Sequence, residues 1–153
     1  MSELAIRRAV RADVPVIVRM LADDFLGSQR EQTSEPLPQS YFAAFEQIDR
    51  NPNHELLVAE LDGEVIGTLH LMFLPSLSYQ GGLRAQIESV RVAASHRSRG
   101  IGKQLVEFAI LRAKERGAHI IQLTTEKNRV AAHRFYERLG FAASHLGMKL
   151  KLK

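Results

Sequence analysis

A short basic turn at residues 97–102 separates a stretch with strand-like alternation from a stretch with helical spacing. Its sequence is Arg97-Ser98-Arg99-Gly100-Ile101-Gly102. The first amides of a helix have no partner inside the helix, and the helix dipole places positive potential there. Glycines let the backbone approach a ligand closely. A strand, a basic glycine-containing turn and a helix therefore predict a site for a phosphate group.

Two common phosphate loops do not fit these residues. A dinucleotide-binding turn requires a third glycine, but that position is Leu105. A nucleoside-triphosphate loop requires an initial glycine and a Ser or Thr after its lysine, but Arg97 and Gln104 occupy these positions. Residues 97–102 instead fit the pattern Arg/Gln-x-x-Gly-x-Gly/Ala, placed directly after a strand. On these six residues alone, an ordinary turn before a helix is the alternative interpretation.

A second segment, residues 132–141, reads Ala-His-Arg-Phe-Tyr-Glu-Arg-Leu-Gly-Phe. Spacing alone places Tyr136 on an apolar helix face with Phe135 and Leu139, which favours a role in the core. The two segments together resemble the signature motifs of the GNAT N-acetyltransferase superfamily, in the family's order. The resemblance covers essentially the whole chain. It implies an α+β fold with a mixed, mostly antiparallel central sheet flanked by helices, as a single domain over residues 1–153.

In that family the basic turn binds the pyrophosphate of acetyl-CoA, which the resemblance therefore implies as co-substrate. The amides of residues 98–103 are expected to contact the pyrophosphate, and Arg99 and Lys103 to add positive charge. Two central parallel strands are expected to splay apart, so that the pantetheine arm pairs with the backbone of residues 90–92. The residues that the resemblance assigns to the cofactor here are Val90, Arg91, Val92, Arg97, Ser98, Arg99, Gly100, Ile101, Gly102 and Lys103.

One position departs from the family pattern. Many members have an asparagine seven residues before the tyrosine, where this chain has Arg129, with Asn128 one residue earlier. Either the loop is shifted by one residue, or Arg129 takes over the contact by binding phosphate or pantetheine. Asn128 and Arg129 are therefore both candidate cofactor ligands.

Tyr136 matches the general acid of the family, since a phenol near the thioester sulfur can protonate the departing thiolate. The attacking amine must lose a proton, and Glu88 on the central strand is the best candidate base, directly or through water. The alternative is that Glu88 pairs with Arg84 or Arg91. Further candidate bases are His70, His96, His133 and His145. No group of histidines and carboxylates has the spacing of a metal site, so we expect no metal.

Composition indicates an ordinary globular protein of a reducing compartment. The 153 residues are 45% hydrophobic and 25% charged, and none is cysteine. Residues 1–20 contain no signal-peptide core, and no apolar run is long enough to span a membrane. The net charge of +4 is densest around the basic turn, which favours attraction of an anionic cofactor. We therefore expect a cytoplasmic protein with neither a membrane nor a nucleic acid as partner.

Hydrophobic periodicity and turn residues predict the remaining elements. Strands are expected at residues 5–10, 55–61, 64–74, 87–92 and 120–124, with Asp62-Gly63 as a hairpin turn. In the central strand Ile87, Ser89 and Arg91 should share one face. Helices are expected from Asp13 to Leu26 with Gly27 as the stop, and over residues 41–48, 103–116 and 130–139. Residues 141–143 and 148–152 are predicted to form a final hairpin.

These features predict an N-acetyltransferase that transfers the acetyl group of acetyl-CoA to a primary amine by direct attack. The alternative is a non-catalytic acyl-CoA-binding regulatory domain, which would share the cofactor turn. Tyr136 and Glu88 favour the enzyme. A small nucleic-acid-binding protein is a weaker third alternative, because no recognisable motif accompanies the modest positive charge.

The acceptor is a small-molecule or peptide amine whose identity the sequence does not specify. Its side of the cleft is expected to be lined by the loops at residues 27–39, 74–82 and 143–147. The residues that suggest a cationic amine are Glu31, Glu35, Tyr41 and Tyr79. Members of the family are often dimers, so a homodimer is an expected assembly.

Overall fold

The computed structural model describes residues 3–153 and places a five-stranded sheet between helices. Residues 1 and 2, which belong to the predicted domain and to the segment predicted to lack a signal-peptide core, lie outside the described residues. None of the helices within residues 3–153 combines the length and apolar character needed to cross a membrane.

The sheet has the order β1-β2-β3-β4-β5. Its strands are β1 (Ala5–Arg8), β2 (His54–Leu61), β3 (Glu64–Pro75), β4 (Leu83–Val92) and β5 (Ile120–Gln122). The first four strands pair antiparallel with their neighbours, and β4 pairs parallel with β5. Asp62 and Gly63 both have positive φ, as a tight hairpin turn requires. The predicted mixed, mostly antiparallel sheet is therefore confirmed.

Helices cover both faces of the sheet. They are α1 (Val14–Ala22), α2 (Phe25–Arg30), α3 (Gln39–Arg50), α4 (Ile101–Glu115) and α5 (Val130–Arg138). Strand β2 contributes to two hydrophobic clusters, because successive side chains of a strand point to opposite faces. Leu57 and Ala59 lie in the cluster with α4, whereas Val58 lies in the cluster with α1 and α3.

The prediction that Gly27 ends a helix reaching Leu26 was wrong. Helix α1 ends at Ala22, and Gly27 lies inside the separate helix α2. A Cβ at this position would lie 1.9 Å from the carbonyl oxygen of Leu21, so glycine is required by the close approach of the two helices. The carboxylate of Asp24 caps α2 by accepting a hydrogen bond from the Gly27 amide.

Several predicted strands also differ from the structure, and β1 ends at Arg8 rather than at residue 10. Strand β5 ends at Gln122 rather than at residue 124, and residues 141–153 form no strand. The prediction of a final hairpin was therefore wrong. Its alternating apolar side chains face solvent, because no neighbouring strand of the described chain pairs with this segment.

A buried ion pair fixes α4 against the sheet. The guanidinium of Arg112 donates two hydrogen bonds to the carboxylate of Glu55 on β2, at 2.9 and 2.8 Å. The Glu55 side chain is 5% exposed. The hydrogen bonds from Arg112 outweigh burial and lower the pKa of Glu55. Since α4 carries the predicted phosphate turn at its N-terminus, this pair helps to position that turn.

We predict that Glu55→Gln lowers the free energy of unfolding at pH 7 by about 2–3 kcal/mol, which is the usual contribution of hydrogen bonds to a charged group. Because the folded-state pKa of Glu55 lies below its ordinary value of 4.5, its contribution is present above that pH. The contribution disappears as pH falls through the folded-state pKa.

Urea denaturation at several pH values measures this effect, and the difference between wild type and Glu55→Gln should narrow in acid. Glu46→Gln is the matched control, since Glu46 belongs to an exposed pair with Arg11. This control should change stability by less than about 0.5 kcal/mol. A constant difference between wild type and Glu55→Gln at every pH would contradict the assignment.

Candidate functional site

Strands β4 and β5 separate after only three paired positions. Residues 84–86 of β4 pair with residues 120–122 of β5, and β4 then continues to Val92 without this neighbour. The separation opens a cleft of about 70 Å³. Its walls are Ile87, Glu88, Ser89, Val90 and Arg91 on one side, and Leu123, Thr124, Thr125, Arg129 and Tyr136 on the other. The site residues predicted from β4 and from α5 thus meet in one place.

Ser89 interrupts the regular alternation of β4. Its φ is 55°, and the register with β3 shifts here, so that Leu69 lies opposite both Ser89 and Val90. The prediction that Ile87, Ser89 and Arg91 share one face was therefore wrong at this bulge. A bulge bends its strand and redirects side chains. Ser89 consequently lines both the cleft and a second, apolar cavity.

Two buried polar atoms in the cleft have no hydrogen-bond partner within the described chain. They are Nε of Arg91 and Oγ1 of Thr125. Buried polar groups in folded proteins are nearly always hydrogen-bonded, because leaving one unpaired is costly. Together with the splayed strands, these atoms fit a polar ligand that lies along the cleft.

The side chain of Arg91 takes part in the cleft, whereas the family resemblance implies a role for its backbone. The side chain is 19% exposed and lies 3.4 Å from the carboxylate of Asp24, at the start of α2. It also donates a hydrogen bond to the carbonyl of Val90 at 3.0 Å. Burial lowers the pKa of Arg91, and Asp24 opposes that effect. The charged guanidinium is thus available beside the cleft.

Tyr136 is both a packed aromatic residue and a cleft residue. Its ring makes edge-on contacts with Phe135 and Phe141, at centroid distances of 5.0 and 5.7 Å. Burial raises the pKa of Tyr136, although the positive charges of Arg129 and Arg91 act against this rise. The phenol is therefore protonated at neutral pH and has a proton to donate.

Glu88 lies in the same cleft and is held by amide side chains. Nε2 of Gln86 donates to the Glu88 carboxylate at 2.7 Å, and Nε2 of Gln122 donates to Oε1 of Gln86 at 2.9 Å. No arginine lies within ion-pair distance of Glu88 among residues 3–153, so the alternative pairing with Arg84 or Arg91 is not found.

The candidate histidines lie outside the cleft. A ring nitrogen of His70 lies 2.9 Å from a ring nitrogen of His54. Burial lowers the pKa of His70 to about 4. Nδ1 of His96 contacts the hydroxyl of Ser95, and Nε2 of His133 contacts the carbonyl oxygen of Glu126. His145 is exposed and contacts Ser144. None of these four lines the cleft, but His70 lines the second, apolar cavity.

The basic turn presents free amides at the start of α4. Gly100 adopts φ of 78° and caps the helix without a side-chain hydrogen bond. The first backbone hydrogen bond of the helix is donated by the Gln104 amide to the Gly100 carbonyl, at 3.1 Å. The amides of residues 101–103 therefore lie in the first turn, where helix geometry provides no acceptor.

The side chains of the turn are mostly exposed. Arg97 donates to the carbonyl of Val92 and to Asp23, at 3.3 and 3.4 Å, which ties the turn to the end of α1. Lys103 lies 3.8 Å from Glu107. A Cβ on Gly102 would make only ordinary contacts of 3.6–3.7 Å with Phe135 and Val92. Packing within the protein therefore does not require glycine at this position.

Of the two candidates before α5, Arg129 lines the cleft. It is the N-cap residue of α5, and its charge acts on both Tyr136 and Arg91. Asn128 lies in the preceding turn and is exposed, outside the cleft lining. The arrangement puts a second guanidinium beside the phenol.

An apolar cavity of about 170 Å³ lies beneath α1 and α3, on the other side of Ser89. Helix α1 contributes Ile17 and Leu21, and helix α3 contributes Tyr41 and Ala44. The Tyr41 hydroxyl donates to Glu31 at 2.9 Å, and Glu31 also pairs with Arg30. The charge of Glu31 is therefore already engaged, which weakens the suggestion of a cationic acceptor.

Several cleft residues were not identified from the sequence. They include Ser89, which lies at the bulge, and Thr125, whose buried hydroxyl has no partner in the described chain. Asp24, which contacts the Arg91 side chain from outside the cleft lining, was not identified either. Tyr79 has positive φ and stacks on His119 at 4.5 Å, outside both cavities. Among the residues that line the cleft, those predicted as site residues from the sequence are Glu88, Val90, Arg91, Arg129 and Tyr136, and the others were missed.

Known proteins resemble this chain in sequence and in fold. Residues 21–141 match the model of the acetyltransferase (GNAT) family. The aminoalkylphosphonate N-acetyltransferase of Salmonella typhimurium is 36% identical over 98 residues, which is 62% of this chain. The matched region is 61% of that enzyme's length, so the chain spans about three fifths of this curated relative.

Solved structures share the fold over nearly the whole chain. A protein of Bacillus halodurans, described as a transcriptional regulator, has a TM-score of 0.95 and 52% identity, covering 98% of this chain and all of that one. A Clostridium acetobutylicum protein described as a predicted acetyltransferase with acetyl-CoA has a TM-score of 0.76 and 20% identity, covering 98% of this chain and 97% of that one. At 20% identity, the similarity to the Clostridium protein shows the shared fold alone.

Proposed function

The chain belongs to the GNAT family of acetyltransferases, and we propose that it transfers the acetyl group of acetyl-CoA to a primary amine by direct attack. The observation that carries the proposal is the cleft between β4 and β5. It contains unpaired polar atoms, a phenol and a carboxylate. A cleft of this composition suits a long polar cofactor arm and the proton transfers of amide formation.

The residues present fit acetyl-CoA, which when bound supplies an activated acetyl thioester. The amides of residues 98–103 would hold the pyrophosphate at the positive end of α4. The backbone of residues 90–92 and the hydroxyl of Thr125 would hold the pantetheine arm along the cleft. Arg129 is the better placed of the two candidates before α5 to contact either part.

Two side chains of the cleft would manage protons during the reaction. The Glu88 carboxylate, oriented by Gln86, would accept a proton from the ammonium form of the acceptor, directly or through water, so that the neutral amine attacks the thioester. The Tyr136 hydroxyl would donate its proton to the departing thiolate. The positive charges of Arg91 and Arg129 would stabilise the phenolate that remains.

The apolar cavity indicates the chemical class of the acceptor. It adjoins the cleft at Ser89, and the side chains of α1 and α3 that line it are largely hydrocarbon. Burying apolar surface is favourable, so an amine with an aryl or branched alkyl substituent would gain affinity here. We therefore infer an apolar primary amine rather than a polyamine.

A second candidate function is an acyl-CoA-binding regulatory domain. The description of the Bacillus halodurans protein as a transcriptional regulator suggests it. A regulator would need the cofactor turn but no proton-transfer groups. The presence of Tyr136 and Glu88 in one cleft favours the enzyme.

The glycine at the helix start provides the first test. Gly100 and Gly63 share φ of 78°, and a Cβ on either would meet no atom within 4 Å, so alanine should strain both equally. Gly100→Ala should weaken CoA binding by roughly tenfold or more, because misaligned amides lose charge-assisted hydrogen bonds. Gly63→Ala, in the β2–β3 turn, should leave binding unchanged. Isothermal titration calorimetry with CoA measures both, and equal affinities for the two variants would argue against the phosphate site.

The phenol provides the second test. Tyr136→Phe should lower kcat by about 10²- to 10⁴-fold, the usual contribution of a general acid, while CoA affinity stays within about twofold. Tyr79→Phe is the matched control, since Tyr79 is exposed and lies outside the cleft. Steady-state kinetics with detection of the released CoA thiol gives the answer. Unchanged turnover in Tyr136→Phe would remove this residue from the mechanism.

The acceptor cavity provides the third test. Both Ala43 and Ala44 are exposed, but only Ala44 lines the cavity, so Ala44→Phe should partly fill it and Ala43→Phe is the control. Wild type should show a higher kcat/KM for phenethylamine than for spermidine. Ala44→Phe should lower kcat/KM for phenethylamine about tenfold, as loss of an apolar pocket of this kind allows. A preference for spermidine, or equal effects of the two variants, would refute the apolar acceptor while leaving the acetyltransferase proposal intact.

A further inference from the structure

The bulge at Ser89 places two charged side chains of β4 on the same face of the sheet. Before the bulge Ile87 packs in the hydrophobic cluster with α4, and after the bulge Val90 packs against the same cluster. Successive side chains of a strand point to opposite faces, so Glu88 and Arg91 both lie on the other face, which α1 and α3 cover. In a strand without a bulge, side chains three residues apart would point to opposite faces.

The pairing of β4 with β3 supports this placement. His70 lies opposite Glu88, and Thr68 lies opposite Arg91. His70 and Thr68 are two residues apart on β3, and both line the apolar cavity. Glu88 and Arg91 themselves line the cleft. The carboxylate and the guanidinium thus lie where the cleft meets the apolar cavity.

The guanidinium of Arg91 has one donor that the protein does not use. Its Nη2 lies 3.4 Å from the Asp24 carboxylate, and its Nη1 donates to the Val90 carbonyl at 3.0 Å. Its Nε is buried and has no partner within residues 3–153. Backbone groups and the Thr125 hydroxyl are the groups proposed above to hold the pantetheine arm. The Nε of Arg91 is therefore left for another ligand.

Three guanidinium groups surround this position, and only two of them are paired. Burial lowers the pKa of Arg91, and the positive charges of Arg129 and Arg30 add to that effect. Asp24 pairs with Arg91 and opposes it. Glu31 pairs with Arg30. Arg129 forms no ion pair within the described part of the chain. An anionic group of a ligand would balance the remaining positive charge.

We propose that the acceptor is an apolar α-amino acid whose carboxylate binds the guanidinium of Arg91. Its ammonium group would lie beside Glu88, and its side chain would enter the apolar cavity. The three parts of one small molecule thus match three features that meet at Ser89. Arginine suits this role because its planar guanidinium binds a carboxylate through charge-assisted hydrogen bonds. This inference rests on the proposed acetyl transfer and specifies its substrate.

The carboxylate of the acceptor takes no part in the chemical steps. The bond between nitrogen and the acetyl carbon forms as the thioester C–S bond breaks. The ammonium group gives one proton to Glu88 before the attack and loses a second proton as the amide forms. That second proton replaces the one that Tyr136 gives to the thiolate. Binding of the carboxylate by Arg91 is therefore expected to affect KM for the acceptor.

Two amines that differ only in the carboxylate, L-phenylalanine and phenethylamine, test the inference. In wild type, kcat/KM should be at least about tenfold higher for L-phenylalanine, with the difference in KM, because hydrogen bonds between charged groups contribute that much. Arg91→Gln should abolish this preference. Arg84→Gln is the matched control, since Arg84 is also a half-buried arginine of β4 with an unpaired Nε but lines neither cavity. This control should keep the preference, and circular dichroism confirms that both variants are folded.

The outcomes separate this inference from the proposed function. If wild type acetylates phenethylamine as well as L-phenylalanine, or if the preference survives Arg91→Gln, the carboxylate site is overturned while acetyl transfer stands. If neither amine causes release of the CoA thiol, the result counts against the proposed function itself, and binding decides on the carboxylate site.

Binding to the enzyme–CoA complex, measured by isothermal titration calorimetry, requires no turnover. L-Phenylalanine should bind wild type at least about tenfold more tightly than L-phenylalaninamide, which has a similar size but no negative charge. Arg91→Gln should remove this difference, and Arg84→Gln should preserve it. Equal affinities of wild type for the two compounds would overturn the carboxylate site.

Discussion

The early separation of β4 from β5 is the constraint on which the site depends. Parallel strands normally satisfy each other's backbone groups, yet β4 keeps this neighbour over only three positions. A buried polar group left unpaired costs about 1–3 kcal/mol, so a sheet tolerates such a gap only where something else completes the hydrogen bonds. Nε of Arg91 and Oγ1 of Thr125 show that the gap is incompletely satisfied by the described part of the chain. The fold therefore contains a cleft whose unpaired polar groups suit hydrogen bonds with an amide-containing ligand.

The elements around this cleft are fixed by interactions that lie outside it. Glu55 and Arg112 hold α4 against β2, which sets the position of the free amides at the other end of that helix. The bulge at Ser89 marks where the cleft and the apolar cavity meet. Packing of Phe135 and Phe141 against Tyr136 orients the phenol. Cofactor, acid and acceptor are thus expected to converge on the middle of β4.

The sequence predicted the features that depend on local conformation. Gly100 and the pair Asp62-Gly63 need positive φ, and glycine patterns report that need directly. The sequence did not predict features that depend on distant contacts. Gly27 looked like a helix stop, but the approach of α2 to Leu21 is what requires it. Alternation at the C-terminal end predicted a hairpin with one buried face, but the structure has no strand there and these side chains are exposed, because alternation alone does not supply a neighbouring strand.

The central claim is that the free amides of residues 101–103 and the backbone of residues 90–92 together bind the coenzyme. A crystal structure of the protein with CoA tests it most directly. We predict electron density for the pyrophosphate at the start of α4 and for the pantetheine arm between β4 and β5, ending near the Tyr136 hydroxyl. Density for the coenzyme elsewhere, with the cleft filled by water alone, would contradict this claim.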